Sequence, residues 1–261
     1  HSFFWLFSLD LKSSKKITQN VIYNWIVEND KYRQNIWDLD ILSKRIIAWI
    51  SNSKLTYESS ETNYKLQFNS LIKKQTNHLV NEIKRTDKLD DKIIGSTAII
   101  LVGLSYGDAY YLKFGIDLLK KILNFSLDVS SFPKSRNLRQ LVFYLKYIIV
   151  IRELLKESQN TIPEFLDETI FYLGKSYNLL CANKGNGMLF NGNFEEPNKE
   201  FDNYLNFHKY KFKDDTNETG GYVVLKNKKF LLAVDIGKSP DKKFSKDYQA
   251  GVLSFEFNFS G

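Results

Sequence analysis

The chain has 261 residues, 43% hydrophobic and 26% charged, the balance of a globular protein with room for one or two buried cores. A single cysteine, Cys181, excludes an internal disulfide and a Cys-based zinc site, and three scattered histidines (His1, His78, His208) form no metal motif, so no cofactor is expected. The formal charge of +7 suits an acidic partner, and no apolar run reaches the roughly 18–20 residues of a membrane span.

In chain order, Ser13 or Ser14 caps a helix with Ile17, Val21, Ile22, Trp25 and Ile26 on one face. Asp40 precedes Leu42, Ile46, Ile47, Trp49 and Ile50 at helical spacing. Glu61 to Arg85 is a longer amphipathic run, and Asp90 to Leu104 is apolar nearly all round, the pattern of a helix buried on several sides. Asp108 caps a run through Leu112, Ile116, Leu119 and Leu123; Asn137 opens a helix to Glu157; Pro163 stands in the first turn of a last one, ending near Leu180. Seven helices with mostly short links make antiparallel neighbours, in a bundle, a solenoid or an α/α toroid.

The texture changes near Asn183–Gly187. Strand signals follow at Met188–Phe190, Tyr222–Leu225, Phe230–Val234 and Val252–Phe259, with Asn227-Lys228 as a hairpin turn. Leu253, Phe255, Phe257 and Phe259 alternate with polar residues, so one face of that strand is apolar. Helices first and strands second predict two segregated domains, a helical one over 1–182 and a β domain over 183–261. The polar stretch Asn193–Thr219 reads as a long loop or insertion, mobile or closing over a groove. Opening at His1 and stopping beside a strand signal, the sequence reads as a fragment.

Five segments in order resemble the heparinase II/III-like family. They are Trp37 to Ile50; Asp128 through Ser135-Arg136-Asn137; Gly187-Met188-Leu189-Phe190-Asn191-Gly192; Gly221-Tyr222 with Ala233-Val234-Asp235-Ile236-Gly237; and Ala250 to Phe257. The likeness is to the bacterial, largely uncharacterised branch. It implies an incomplete α/α toroid of antiparallel helical hairpins, followed by the first strands of an antiparallel β-sandwich. It further implies a polysaccharide lyase (a carbon–oxygen lyase) acting by β-elimination on a uronate-containing anionic polysaccharide, in the periplasm or cytoplasm of a Gram-negative bacterium. Where many active members carry two His and an Asp before the last segment, this chain has Asp247, Gln249 and Gly251. The alternative is a non-catalytic carbohydrate-binding or cell-envelope protein on the same fold.

Each candidate residue carries a functional and a structural reading. Arg136, Tyr222 and Tyr248 are the catalytic candidates: an arginine fork to neutralise a uronate carboxylate, and two tyrosines to move protons. Arg45, Trp37, Trp49, Asp128 and Asn191 are the substrate-binding candidates. Against these roles, Arg45 braces a neighbouring helix, Arg136 orients a loop, the tryptophans pack in a core, and Asn191 and Asp235 serve tight glycine turns. Lone His78 on its helix reads as a surface or satisfied residue. Asp128 would also be the first carboxylate of a glycosidase pair, with no convincing second. A nucleic-acid module ranks last, because no motif is present and the basic residues do not cluster in one run.

Overall fold

The computed structural model describes residues 1–10, 12, 14–181, 188–193, 199–213, 215–249, 251 and 254–259. Among these are a 3-10 turn at Phe4–Ser8 and nine α-helices. They are α1 (Lys15–Asn29), α2 (Leu39–Ser51), α3 (Ser53–Thr56), α4 (Thr62–Glu82), α5 (Leu89–Tyr106), α6 (Ala109–Ser126), α7 (Leu138–Glu157), α8 (Glu164–Leu180) and α9 (Lys199–Phe207). Four strands follow: β1 (Glu218–Thr219), β2 (Tyr222–Lys226), β3 (Phe230–Asp235) and β4 (Phe255–Phe259). The chain divides into two compact units, His1–Ile122 and Leu123–Gly261. The change from helix to strand thus falls inside the second unit, which holds α7 and α8 as well as the sheet.

In the first unit, α5 fits its sequence: Ile93 to Gly103 is buried without a break. Gly95, Gly103 and Gly115 allow that close fit, since a Cβ on Gly103 would press into the Leu112 backbone. α2 packs against α5, and its Leu42, Ile46 and Trp49 are fully buried. The caps are as the residue types demand. The Ser14 hydroxyl accepts from Ile17 N, and the Asp108 carboxylate accepts from Tyr110 N at 2.9 Å and Tyr111 N at 3.1 Å. The second helix is capped by Asp38, whose carboxylate accepts from Asp40 N at 3.1 Å.

In the second unit, Asn137 caps α7 by accepting from Arg139 N at 2.8 Å. Pro163 sits at the N-cap of α8, one position ahead of the first turn. The strands pair antiparallel in the order β1-β2-β3-β4. Asn227 makes the hairpin, its carboxamide oxygen accepting from Lys229 N and Phe230 N.

Two expectations needed correcting. Met188–Phe190 forms no strand. The Asn193–Thr219 stretch contains α9, whose Phe201 and Leu205 are buried, and β1. Its described part is pinned by ionisable side chains: Tyr177 Oη donates to Asp202 Oδ1 at 2.5 Å and Lys175 pairs with Asp215 at 2.7 Å. Ser13, the Asn183–Gly187 turn, and Ala250, Val252 and Leu253 before β4 lie outside the described residues.

The two faces of the sheet differ sharply. Tyr222, Val224, Leu231, Ala233 and Asp235 point to the buried side. By register, Val223, Leu225, Leu232, Val234, Phe230, Phe255, Phe257 and Phe259 share the other. Every residue of that second set is apolar and none is buried.

Candidate functional site

Three segments far apart in sequence meet in the second unit around Arg136. The turn before α7 puts Arg136 in the left-handed region (φ 57°), a conformation that a non-glycine residue holds only when its surroundings enforce it. Its guanidinium supplies that enforcement. Nε donates to Gly220 O (3.0 Å), Nη1 to Lys238 O (3.3 Å), and Nη2 to Gly221 O (3.1 Å) and Asp235 Oδ1 (2.5 Å). The ion pair with Asp235 is buried on both sides. Glycines make the approach possible. Gly221 has φ 79°, and a Cβ on Gly237 would occupy the space of the guanidinium.

Tyr222 completes the cluster from β2. Its ring lies 4.6 Å from the Arg136 guanidinium carbon, stacks on Phe190 at 5.3 Å, and is fully buried. The phenol donates to Arg136 O at 2.8 Å and accepts from Asn191 Nδ2. Asn191, itself at φ 49° in the Asn191-Gly192 turn, also donates to Asp235 Oδ2 at 3.2 Å. Burial pushes the Tyr222 phenol well above its usual range, with Asp235 and Tyr248 adding to the rise against the lowering effect of Arg136 and Asn191. At neutral pH it is a fixed hydrogen-bond donor. Tyr248 is different: its side chain is only partly buried and its hydroxyl lies 3.4 Å from Ser239 Oγ.

Asp128 is drawn into its own turn. One carboxylate oxygen accepts from Ser130 N, Ser130 Oγ and Phe132 N at 2.8–2.9 Å. Phe132, fully buried, then packs against Tyr222 with ring centres 6.0 Å apart. The loop that carries Asp128 therefore helps seat the tyrosine.

The remaining candidates belong to the first unit. Arg45 is completely buried, its Nε on Gln75 Oε1 (3.2 Å) and its Nη atoms on Ile36 O (3.2 Å) and His1 O (3.1 Å). It lies 4.5 Å above the Trp25 ring. Burial lowers its pKa to about 9, which leaves it charged at neutral pH. Trp49 is enclosed by Phe3, Trp25 and Phe68, with ring centres 5.2–5.5 Å away. Trp37 is buried edge-on to His78 at 5.2 Å. Neither indole N–H has a partner among the described residues. His78 is held below its usual pKa by burial, partly opposed by Glu82.

A second polar cluster in the second unit was not anticipated. Glu153, buried on α7, accepts from Tyr210 Oη (2.7 Å) and Arg152 Nη1 (3.0 Å), with His208 Nδ1 at 3.4 Å and Lys156 Nζ at 3.5 Å. Burial alone would raise its pKa, but the bonds from Tyr210 and Arg152, with the charges of Lys156 and His208, hold it below the carboxylate range. The sequence signal was an acid amid the apolar Leu141–Leu155 run, with Arg152 beside it and Lys156 three positions on. Among the described residues no group of three or more His, Cys, Asp or Glu could hold a metal ion. Nor is any helix among them long and apolar enough to cross a membrane.

No family model matches the chain, and no curated protein matches it. Solved structures do. A heparinase III matches over 91% of this chain and 44% of its own, with a TM-score of 0.69 and 14% identity. The heparan sulfate lyase HepC from Pedobacter heparinus matches over 96% and 45%, with a TM-score of 0.72 and 12% identity. A heparinase III with methylated lysines matches over 90% and 40%, with a TM-score of 0.72 and 16% identity. The chain thus has a heparinase II/III-like fold, an incomplete α/α toroid followed by strands of a β-sandwich, and spans less than half the length of these structures.

Proposed function

We propose that this chain is part of a polysaccharide lyase-like protein that performs β-elimination on a uronate-containing anionic polysaccharide. The observation that carries the reading is the shared fold over at least 90% of the chain with proteins described as a heparan sulfate lyase and as heparinase III. The charge of +7, with 25 Lys and Arg against 19 Asp and Glu in residues 1–180, supports a polyanionic substrate.

Elimination removes the weakly acidic C5 proton of a uronate and expels the glycosidic oxygen at C4. A base accepts the proton, a donor protonates the leaving oxygen, and hydrogen-bond donors stabilise the charge that builds on the carboxylate. Among the catalytic candidates, Tyr248 is the one whose side chain is not buried and so can meet a sugar. Arg136, Tyr222 and Asn191 act behind it as a rigid platform, because their polar atoms already engage one another and Asp235.

The test is ultraviolet absorbance of the C4–C5 double bond on incubation with heparin, heparan sulfate, chondroitin sulfate and alginate, using the full-length protein. A rise with one substrate, lost by about 10²-fold or more in Tyr248→Phe, is expected. No rise from folded protein would overturn the lyase reading. The enclosed state of Arg136, Asn191 and Tyr222 favours a second reading, a protein that binds the polysaccharide without cleaving it. Its signature is retention of the polysaccharide with a flat absorbance trace.

A further inference from the structure

The outer edge of α4 carries a polar ladder. Residues Lys65, Asn69, Lys73 and Asn77 recur every four positions, so they form one stripe covering about 18 Å of helix, and Lys84 follows just past its end. Aromatic rings from three other segments lie along the stripe. Tyr57, ahead of α4, accepts from Asn69 Nδ2 at 2.9 Å and lies under Lys65 Nζ at 5.3 Å. Tyr106, at the end of α5, donates to Asn69 Oδ1 at 2.9 Å. Tyr111, in the first turn of α6, donates to Asn77 Oδ1 at 2.5 Å. Tyr110 is in ring contact with Tyr111 at 5.6 Å and Phe114 at 6.1 Å, and Lys84 Nζ lies 5.3 Å from the Phe114 ring.

Two properties of this strip point to a ligand. The rings at its surface are large and open to water, Tyr106 at 44% and Tyr110 at 61% exposure, yet Tyr106 is tied to Asn69, so ordering it on binding costs little further entropy. Between its ends the helix carries only positive charge: from Thr62 to Asn81 it has Lys65, Lys73 and Lys74, with Glu82 at its last residue and Asp108 at the start of α6 flanking the strip. An apolar docking face would lack the amides and lysines. A nucleic acid would need them too, but the alternation of flat ring, amide and ammonium along a line suits a chain of pyranose rings bearing hydroxyls and anionic groups.

We infer that the Tyr57–Tyr106–Tyr110 strip along α4 is a binding surface for an extended anionic polysaccharide. Ring faces of Tyr106 and Tyr110 stack on sugars, Asn69 and Asn77 meet hydroxyls, and Lys65, Lys73 and Lys84 meet carboxylate or sulfate groups. The inference rests on the reading that the protein takes an anionic polysaccharide, but not on its cleaving one.

The test is calorimetric titration of the full-length protein with heparin and chondroitin sulfate oligosaccharides, uncharged dextran and single-stranded DNA. Tyr110→Ala is expected to weaken sulfated oligosaccharide binding about three- to tenfold, as the loss of one stacking ring should. Lys73→Glu should weaken it several-fold and lower its salt dependence, whereas Lys16→Glu, the same charge change on exposed α1, should not. Unchanged affinity in Tyr110→Ala and Lys73→Glu, equal losses in Lys16→Glu, or DNA bound as tightly as the glycan would each overturn the inference. A flat absorbance trace with these binding losses intact would sink the lyase reading and leave the strip standing.

Discussion

Two buried arginines, one in each compact unit, show two ways of keeping a cation inside a protein. Among the described residues Arg45 in the first unit has no carboxylate partner; carbonyl oxygens of Ile36 and His1, the Gln75 amide and the Trp25 ring surround it. Arg136 in the second faces Asp235 and three backbone carbonyls. The first is a neutral cage, in which burial lowers the pKa to about 9 and dipoles alone offset the lost hydration. The second is an ion pair within a polar network. The difference teaches that losing the cation should hurt in unequal ways. Removing Arg45 leaves orphaned dipoles, whereas removing Arg136 leaves an orphaned charge.

The largest expected effect follows from that inequality. Arg136→Ala should destabilise the chain by about 3–5 kcal/mol, because Asp235 is left buried and unpaired, and denaturant unfolding would measure it. Adding Asp235→Asn should recover part of the loss. Arg45→Met, which keeps volume and removes only neutral partners, should cost less, about 1–3 kcal/mol. Equal losses in the two single variants would break the comparison, since the carboxylate would then make no difference.

Smaller changes sharpen it. Tyr222→Phe deletes the bond to Arg136 O and the acceptor for Asn191, and should cost about 1–2 kcal/mol in the same unfolding experiment. Glu153 supplies the smallest and the only pH-dependent case. Its pKa is depressed in the folded state, so its contribution is present above the ordinary carboxylate value of about 4.3 and is lost as pH falls through the lower folded value. Glu153→Gln should therefore lower Tm at pH 7, with the gap to the parent protein closing below about pH 4. A gap that stays constant to pH 3 would refute the assignment of that stability to the carboxylate's charge.

Much of the fold was legible because it is periodic. The seven long helices and the three longer strands carry apolar repeats, and four of those helices are capped by Ser14, Asp38, Asp108 and Asn137. What escaped was short or polar. The four residues of α3 and the nine of α9 hold too few apolar positions to mark a period, and β1 has only two residues. The site was legible only in pieces. Ser135–Asn137, Phe190–Gly192 and Gly221–Gly237 each stood out, and the structural readings of Arg136, Asn191 and Asp235 as loop and turn residues pointed to what they do. That the three segments converge on one cluster could not be read, because contacts across 85–102 positions leave no local pattern. The same holds for Glu153 with Tyr210, 57 residues apart.

The outer face of the sheet predicts behaviour that changes with the chain's concentration. Eight apolar side chains from β2, β3 and β4 lie on one plane, and Phe255, Phe257 and Phe259 are each more than half exposed. Two such planes brought together would shed water from both, and β4 offers a strand edge alongside. Encounters between copies in a crowded solution are expected to be adhesive at this plane, and light scattering against concentration, rather than melting temperature, is the measurement that checks it.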